Sequence, residues 1–183
     1  MVDSKILKAS EIFETSWCKF IPKKVCIFVW HLYHRRIPVR VVLDNMGIDL
    51  HSVLCPCCEE SIESSVHCSV LCLKVKPIWD RVLQWWDVGM RNLLSVEDVL
   101  NLAQTNIFTG IKREIWKEIV WSVLYFIWTF RNQVVFKGNE SKILDLFKEV
   151  QGRAFEWIVA RMKKDHLKWE DWISGLIVPS RSM

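Results

Sequence analysis

Four residues in one short stretch have types and spacing suited to chemistry: Cys55, Cys58, His67 and Cys72. Cys55 and Cys58 are the ends of the C-x-x-C step in Cys55-Pro56-Cys57-Cys58, which lets two thiolates of one tight turn reach one ion. His67 and Cys72 follow at a spacing that a single helical turn and its end can span. Three thiolates and one imidazole suit a single tetrahedral Zn²⁺. All four positions would be filled, so such a site is structural and has no open place for an activated water. The alternative is a set of buried thiols, because free cysteine is among the most buried residue types. Cys57 and Cys68 lie beside the proposed ligands and compete for the assignment. The surrounding segment, residues 49–65, has no sustained apolar period and reads as a loop unable to build a core alone. Metal binding worth about 10–16 kcal/mol would supply the missing stabilisation. Glu59, Glu60 and Glu63 on this loop read as a solvated acidic face.

A second feature is electrostatic. No acidic residue occurs between Glu14 and Asp44, while Lys19, Lys23, Lys24, Arg35, Arg36 and Arg40 all do. Lys23, Lys24, Arg35, Arg36 and Arg40 are candidate contacts to the phosphates of RNA or DNA, with Phe20 or Tyr33 available to stack on bases. The competing reading is a solvated basic helix face with Phe28 and Trp30 in the core. No phosphate-cradling glycine motif is present, and no Ser-His-Asp set can be nominated from spacing. Cys26 with His31 could be imagined as nucleophile and base, but both fall in an apolar helix. His31, His34, His51 and His166 share no ligand spacing.

These residues need positioning elements, and the periodicity supplies helices. A short capped helix is expected over 10–17, and Pro22 suits the first turn of the next, where its missing N–H costs nothing. Val25, Phe28, Val29 and Leu32 then recur at helical spacing up to the stop at Pro38. Further helices are expected over 41–46, closed by Gly47, over 66–73, and from Pro77 to Trp86. Ser95 with Asp98 three residues on forms a capping-box start. A long helix is expected over 111–136, ended by Gly138, with Trp116, Trp121 and Trp128 mainly in the core. An amphipathic helix follows over 143–164. Strand-like alternation is nearly absent, so the reading is all-α: a small zinc-stapled helical module over residues 10–88, then a helical C-terminal region over 95–178.

Composition bounds the rest. The chain has 183 residues, 51% hydrophobic and 25% charged, which excludes a disordered or collagen-like chain. Gly (6) and Pro (5) are too scarce for a turn-rich β-sandwich. The longest uncharged apolar run, 119–130, is shorter than the ~20 residues of a membrane span. No secretory signal is visible, so an intracellular setting, nuclear or cytoplasmic, is expected and no membrane partner. The seven cysteines then read as metal ligands or thiols rather than disulfides.

The spacing Cys55-x2-Cys58-x8-His67-x4-Cys72, with Glu63-Ser64 before the histidine and Trp79 after the last cysteine, resembles the zinc-binding module of reverse transcriptases from plant LINE-type (non-LTR) retrotransposons. The run from Trp17 to Trp30, then Pro38-Val39-Arg40, Leu43 and Gly47-Ile48, agrees with that pattern over about residues 10–88. Trp128, Arg131-Asn132 and Phe136 resemble a segment that often follows it. Cys68 departs from the pattern, which has a bulky apolar residue there. The resemblance implies one structural Zn²⁺ on Cys55, Cys58, His67 and Cys72, and an accessory role beside a polymerase. A polymerase itself needs carboxylates holding two Mg²⁺, and no Asp-Asp pair exists in the chain. The expected function is therefore non-catalytic: binding or positioning nucleic acid. A protein-docking zinc module and a transposon relic without selected function are the alternatives.

Overall fold

The computed structural model describes residues 18–137, 143–162 and 167–175. Its elements in order are α1 (Lys23–Tyr33), α2 (Arg40–Asn45), a π-helical turn (His67–Leu71), α3 (Lys76–Trp85), α4 (Val96–Ala103), α5 (Gly110–Lys137), α6 (Ile143–Arg161) and α7 (Trp169–Ile173). The protein is all-α as expected, with no strand among the described residues and a single antiparallel bridge between Leu54 and Ile62. The helix expected over 10–17, Trp17, Gly138 and His166 lie outside the described residues.

Local signals set most of the boundaries. Pro22 caps α1 with an extended backbone, and Pro77 occupies the first turn of α3. Ser95 accepts the Asp98 N–H while the Asp98 carboxylate accepts the Ser95 N–H, completing the capping box of α4. Gly47 follows α2 with φ 77°, a left-handed conformation suited to glycine.

The 28-residue α5 is the hub: α1, α4, α6 and the π-helical turn all pack on it. It is long and apolar enough to cross a membrane by length and composition, but Ile115, Ile119, Val123 and Ile127 on its stripe are fully buried within the protein. Trp116 and Trp121 are in the core as expected, while Trp128 is only half-buried. Trp116 and Trp86 contact each other, and Phe108 closes the trio with centroids 5.3–5.7 Å apart. At the C-terminal end α7 clasps α3 and α6. Trp172 is fully buried, accepting the Trp85 indole N–H on its carbonyl and donating its own to the Gln151 carbonyl. Gly175 follows with φ 72°, and a Cβ there would collide with the Trp85 carbonyl oxygen.

One buried carboxyl gives this hub a pH dependence. Glu118 is 2% exposed, accepts the Phe20 N–H at 3.1 Å through Oε1, and makes no hydrogen bond through Oε2 among the described residues. Burial pushes its pKa up to about 7, against the pull of the Phe20 and Lys19 amides, with Cys26 and Glu114 adding negative charge. The folded state thus binds more protons than the unfolded one between the ordinary carboxyl value of 4.5 and about 7. Stability contributed by this group is full below that window and falls by about 3 kcal/mol as pH rises through it. Glu118→Gln should remove that slope in denaturant titrations at several pH values; an unchanged slope would show that Glu118 is ionised throughout.

Beside Glu118, Cys18 and Cys26 meet. Cys26 sits on α1, and Cys18 precedes the helix in irregular backbone. The Cys18 hydrogen bond lowers the Cys26 thiol to about 7. The same bond, with burial, pushes Cys18 up.

Candidate metal centre

The four sequence-nominated residues converge. The ligand atoms of Cys55, Cys58, His67 and Cys72 all lie within 4.8 Å of one another. The Cys55 and Cys72 sulfurs are 4.0 Å apart, and Cys58 Sγ is 3.4 Å from His67 Nε2. A tetrahedral ion with bonds of about 2.3 Å to sulfur and about 2.0–2.1 Å to nitrogen separates its ligand atoms by roughly 3.5–3.8 Å. The donor set and its spacing therefore fit one closed four-coordinate ion. Cys55 and Cys72 are essentially buried and His67 is 9% exposed.

Two local structures present these ligands. The first is a hairpin-like knuckle. Glu63 N–H donates to the Val53 carbonyl and Cys55 N–H to the Ser61 carbonyl, bringing the two arms together around residues 56–61. Glu59 N–H returns to the Cys55 carbonyl, and Glu59 itself takes φ 60°, which turns the chain sharply after Cys58. Hydrogen bonds from the Cys57 and Cys72 thiols, together with the Cys58 and Cys57 amides, pull the Cys55 thiol well below its usual range against the effect of burial. The bond to Cys55, with burial, pushes the Cys72 thiol up, and a bound ion would hold both as thiolates.

The second is the π-helical turn. The expected helix over 66–73 is present but wound differently, with Cys72 N–H donating to the His67 carbonyl at 2.9 Å. At about 100° per residue an α-helix would place residue 72 about 140° around from residue 67. An i→i+5 bond returns the chain to nearly the same face after five residues, so both side chains reach one ion. Ser64 Oγ accepts the His67 N–H, and the buried Trp79 indole donates to the Ser69 carbonyl at 2.9 Å. Trp79 thereby holds the turn from the α3 side.

The neighbouring thiols separate from the ligands by geometry. Cys68 is 3% exposed and is not among the four clustered residues, and burial pushes its thiol up, so it packs as a neutral side chain. Cys57 is held up by its hydrogen bond to Cys55 and by burial.

Sequence reasoning misplaced one residue. Glu63 is not part of a solvated acidic face: its side chain is fully buried, unlike the exposed Glu59 and Glu60. Arg131 of α5 donates to it twice, Nε to Oε1 at 2.7 Å and Nη2 to Oε2 at 2.6 Å. Oε2 also accepts the Arg40 N–H at 2.8 Å, and the Glu63 carbonyl accepts the Val41 N–H. A buried carboxylate is tolerated only when paired and hydrogen-bonded, and this one is. Glu63 thus joins the knuckle, the start of α2 and the C-terminal half of the long helix.

The basic candidates divide. Lys24 and Arg36 line a groove between α1 and α5. Arg40 turns away, donating through Nη1 to the Leu54 carbonyl of the knuckle at 2.7 Å. Lys23 and Arg35 are exposed and do not line the groove. Lys19 pairs with Glu114 at 3.6 Å on the surface, a contact of small energetic weight. Of the aromatic candidates, Phe20 and Tyr33 are both half-buried and pack against the core.

Fold and site together define an all-α protein with a Cys₃His cluster that could hold one metal ion. Residues 3–79 match the family described as zinc-binding in reverse transcriptase. The match spans less than half of the chain and contains all four ligands. That family binds zinc and is an accessory domain, distinct from the catalytic polymerase domain. No curated protein and no solved structure matches the chain.

Proposed function

We propose that the chain is a non-catalytic, zinc-stapled accessory module of a LINE-type retrotransposon polyprotein of plant origin, and that it binds or positions nucleic acid. The closed Cys₃His cluster carries this reading. With four protein ligands in place, the bound ion would organise the knuckle and the π-helical turn and would leave no coordination position for substrate or water. The residues that would hold it are Cys55, Cys58, His67 and Cys72. The missing Asp-Asp pair supports a role without phosphoryl-transfer chemistry, and the chain's seven unpaired thiols suit a reducing, intracellular setting. The net charge of +4 and the acid-free stretch from Lys19 to Arg40 support a polyanionic partner.

Metal analysis of the purified full-length chain tests the reading. One zinc per chain is expected for the wild type, with loss in Cys55→Ser and His67→Ala and retention in Cys68→Ala. A wild type with substoichiometric zinc after refolding in its presence would overturn it.

A further inference from the structure

The groove between α1 and the C-terminal half of α5 is not part of the metal centre. It encloses about 710 Å³, within the range of about 300–1,000 Å³ usual for ligand sites. Three cations line it, Lys24 from α1, Arg36 from the turn after α1, and Lys137 from the end of α5, and no carboxylate does so among the described residues. Its walls are aromatic. Tyr125 and Trp128 are half-buried, with Phe28 behind them at centroid distances of 5.8 and 6.0 Å. Phe136 at the lip is 79% exposed, so its ring faces are open to a stacking partner. Asn132 and Gln133 line it as well and offer amide donors and acceptors.

Cations on the rim, an exposed ring at the lip and amides within match what an unpaired strand offers. Its phosphates seek the cations, its base faces seek an aromatic plane, and its base edges seek amide partners. A duplex keeps its bases stacked and their faces hidden, so it could use the cations but not Phe136. We infer that this groove is a binding cleft for single-stranded nucleic acid, with Phe136 stacking a base and Lys24, Arg36 and Lys137 holding the backbone. The inference deepens the nucleic-acid reading given above and rests on it.

The test uses the full-length, zinc-loaded chain and fluorescein-labelled RNA and DNA oligonucleotides of about 12 nucleotides, within the site sizes of single-strand binders. Each is offered single-stranded and as a duplex, over a range of salt concentrations. Single strands are expected to bind more tightly than duplexes, with the RNA and DNA arms showing which backbone is preferred. Phe136→Ala removes a side chain from the surface and should leave the fold intact, verified by circular dichroism. It is expected to weaken single-strand binding about fivefold or more while leaving duplex binding unchanged. Replacing Lys24, Arg36 and Lys137 together by Ala should flatten the slope of log K against log salt by about 2. Lys23→Ala with Arg35→Ala, outside the groove, should flatten it less. Equal binding of single strands and duplexes, lowered as much by the Lys23 and Arg35 changes and untouched by Phe136→Ala, would overturn the cleft while leaving general nucleic-acid binding standing. Absence of salt-dependent binding to any of these probes would overturn both.

Discussion

Stripping the metal with a chelator is expected to unfold the segment from the knuckle through the π-helical turn while the α4–α6 bundle stays helical. Within residues 49–65 only Cys55 and Glu63 are buried, and neither is an apolar anchor. Leu54 and Ile62, which form the bridge between the arms, are 37% and 58% exposed. The knuckle therefore has almost no hydrophobic contribution of its own. Structural zinc contributes about 10–16 kcal/mol of apparent binding free energy, as large as the whole net stability of about 5–15 kcal/mol typical of a domain. Without it, three thiols and an imidazole crowded within 4.8 Å lose the ion that balances them. Amide hydrogen exchange reads the outcome locally. The amides of Cys55, Glu59, Glu63 and Cys72, all donors within this segment, should lose protection, whereas those of residues 119–127 in α5 should keep it. Equal protection before and after complete metal removal would show that packing alone holds the knuckle.

Arg131→Met is expected to destabilise the folded chain by about 3–5 kcal/mol, because it leaves the Glu63 carboxylate buried without its main partner. For a chain of this size that is a fall in Tm of about 6–20 °C. Arg131 is 4% exposed and its side chain also lies over the Trp128 ring at 4.9 Å, so no water can replace it without rearrangement. Arg131→Lys should recover only part of the loss, since an ammonium is a point charge and cannot donate to both carboxylate oxygens in the fork geometry. Converting Glu63 to Gln and Arg131 to Met together should cost less than the two single changes added, because each single change strands a buried group. A melting temperature within a degree or two of wild type for Arg131→Met would show that Glu63 is served by the Arg40 amide alone.

Much of this architecture was legible because it follows short-range rules. Pro22, Pro77, and the Ser95–Asp98 box each set a helix start by local chemistry, and the i, i+3, i+4 stripe of Ile115, Ile119, Val123 and Ile127 reported burial directly. The metal ligands were legible for the same reason, since Cys55 and Cys58 belong to one turn and His67 and Cys72 to one helical segment. The π winding was not, because nothing in the residues between His67 and Cys72 forces an i→i+5 bond; the convergence of two distant pairs of ligands selects it. Glu63 was misread because its partner is 68 residues away and a glutamate among exposed glutamates has no local mark of burial. The available signal was weak: Glu63-Ser64 and Arg131-Asn132 both lie in segments that carry the resemblance, and opposite charges in two such places are candidates for each other. The division of the basic residues between groove and knuckle likewise depends on tertiary placement.

The buried pair between Glu63 and Arg131 limits how far the chain can be shortened. A shortened version of the chain ending before Arg131 would retain all four residues of the Cys₃His cluster while stranding a carboxylate in its interior. Such a fragment would look intact to anyone counting cysteines and histidines, yet it would lack the wall that neutralises Glu63 and the rings that cover Phe28. Whether the metal-binding part can stand alone therefore depends on where the chain is cut relative to Arg131 of α5, and a version cut before that arginine would need Glu63 replaced as well.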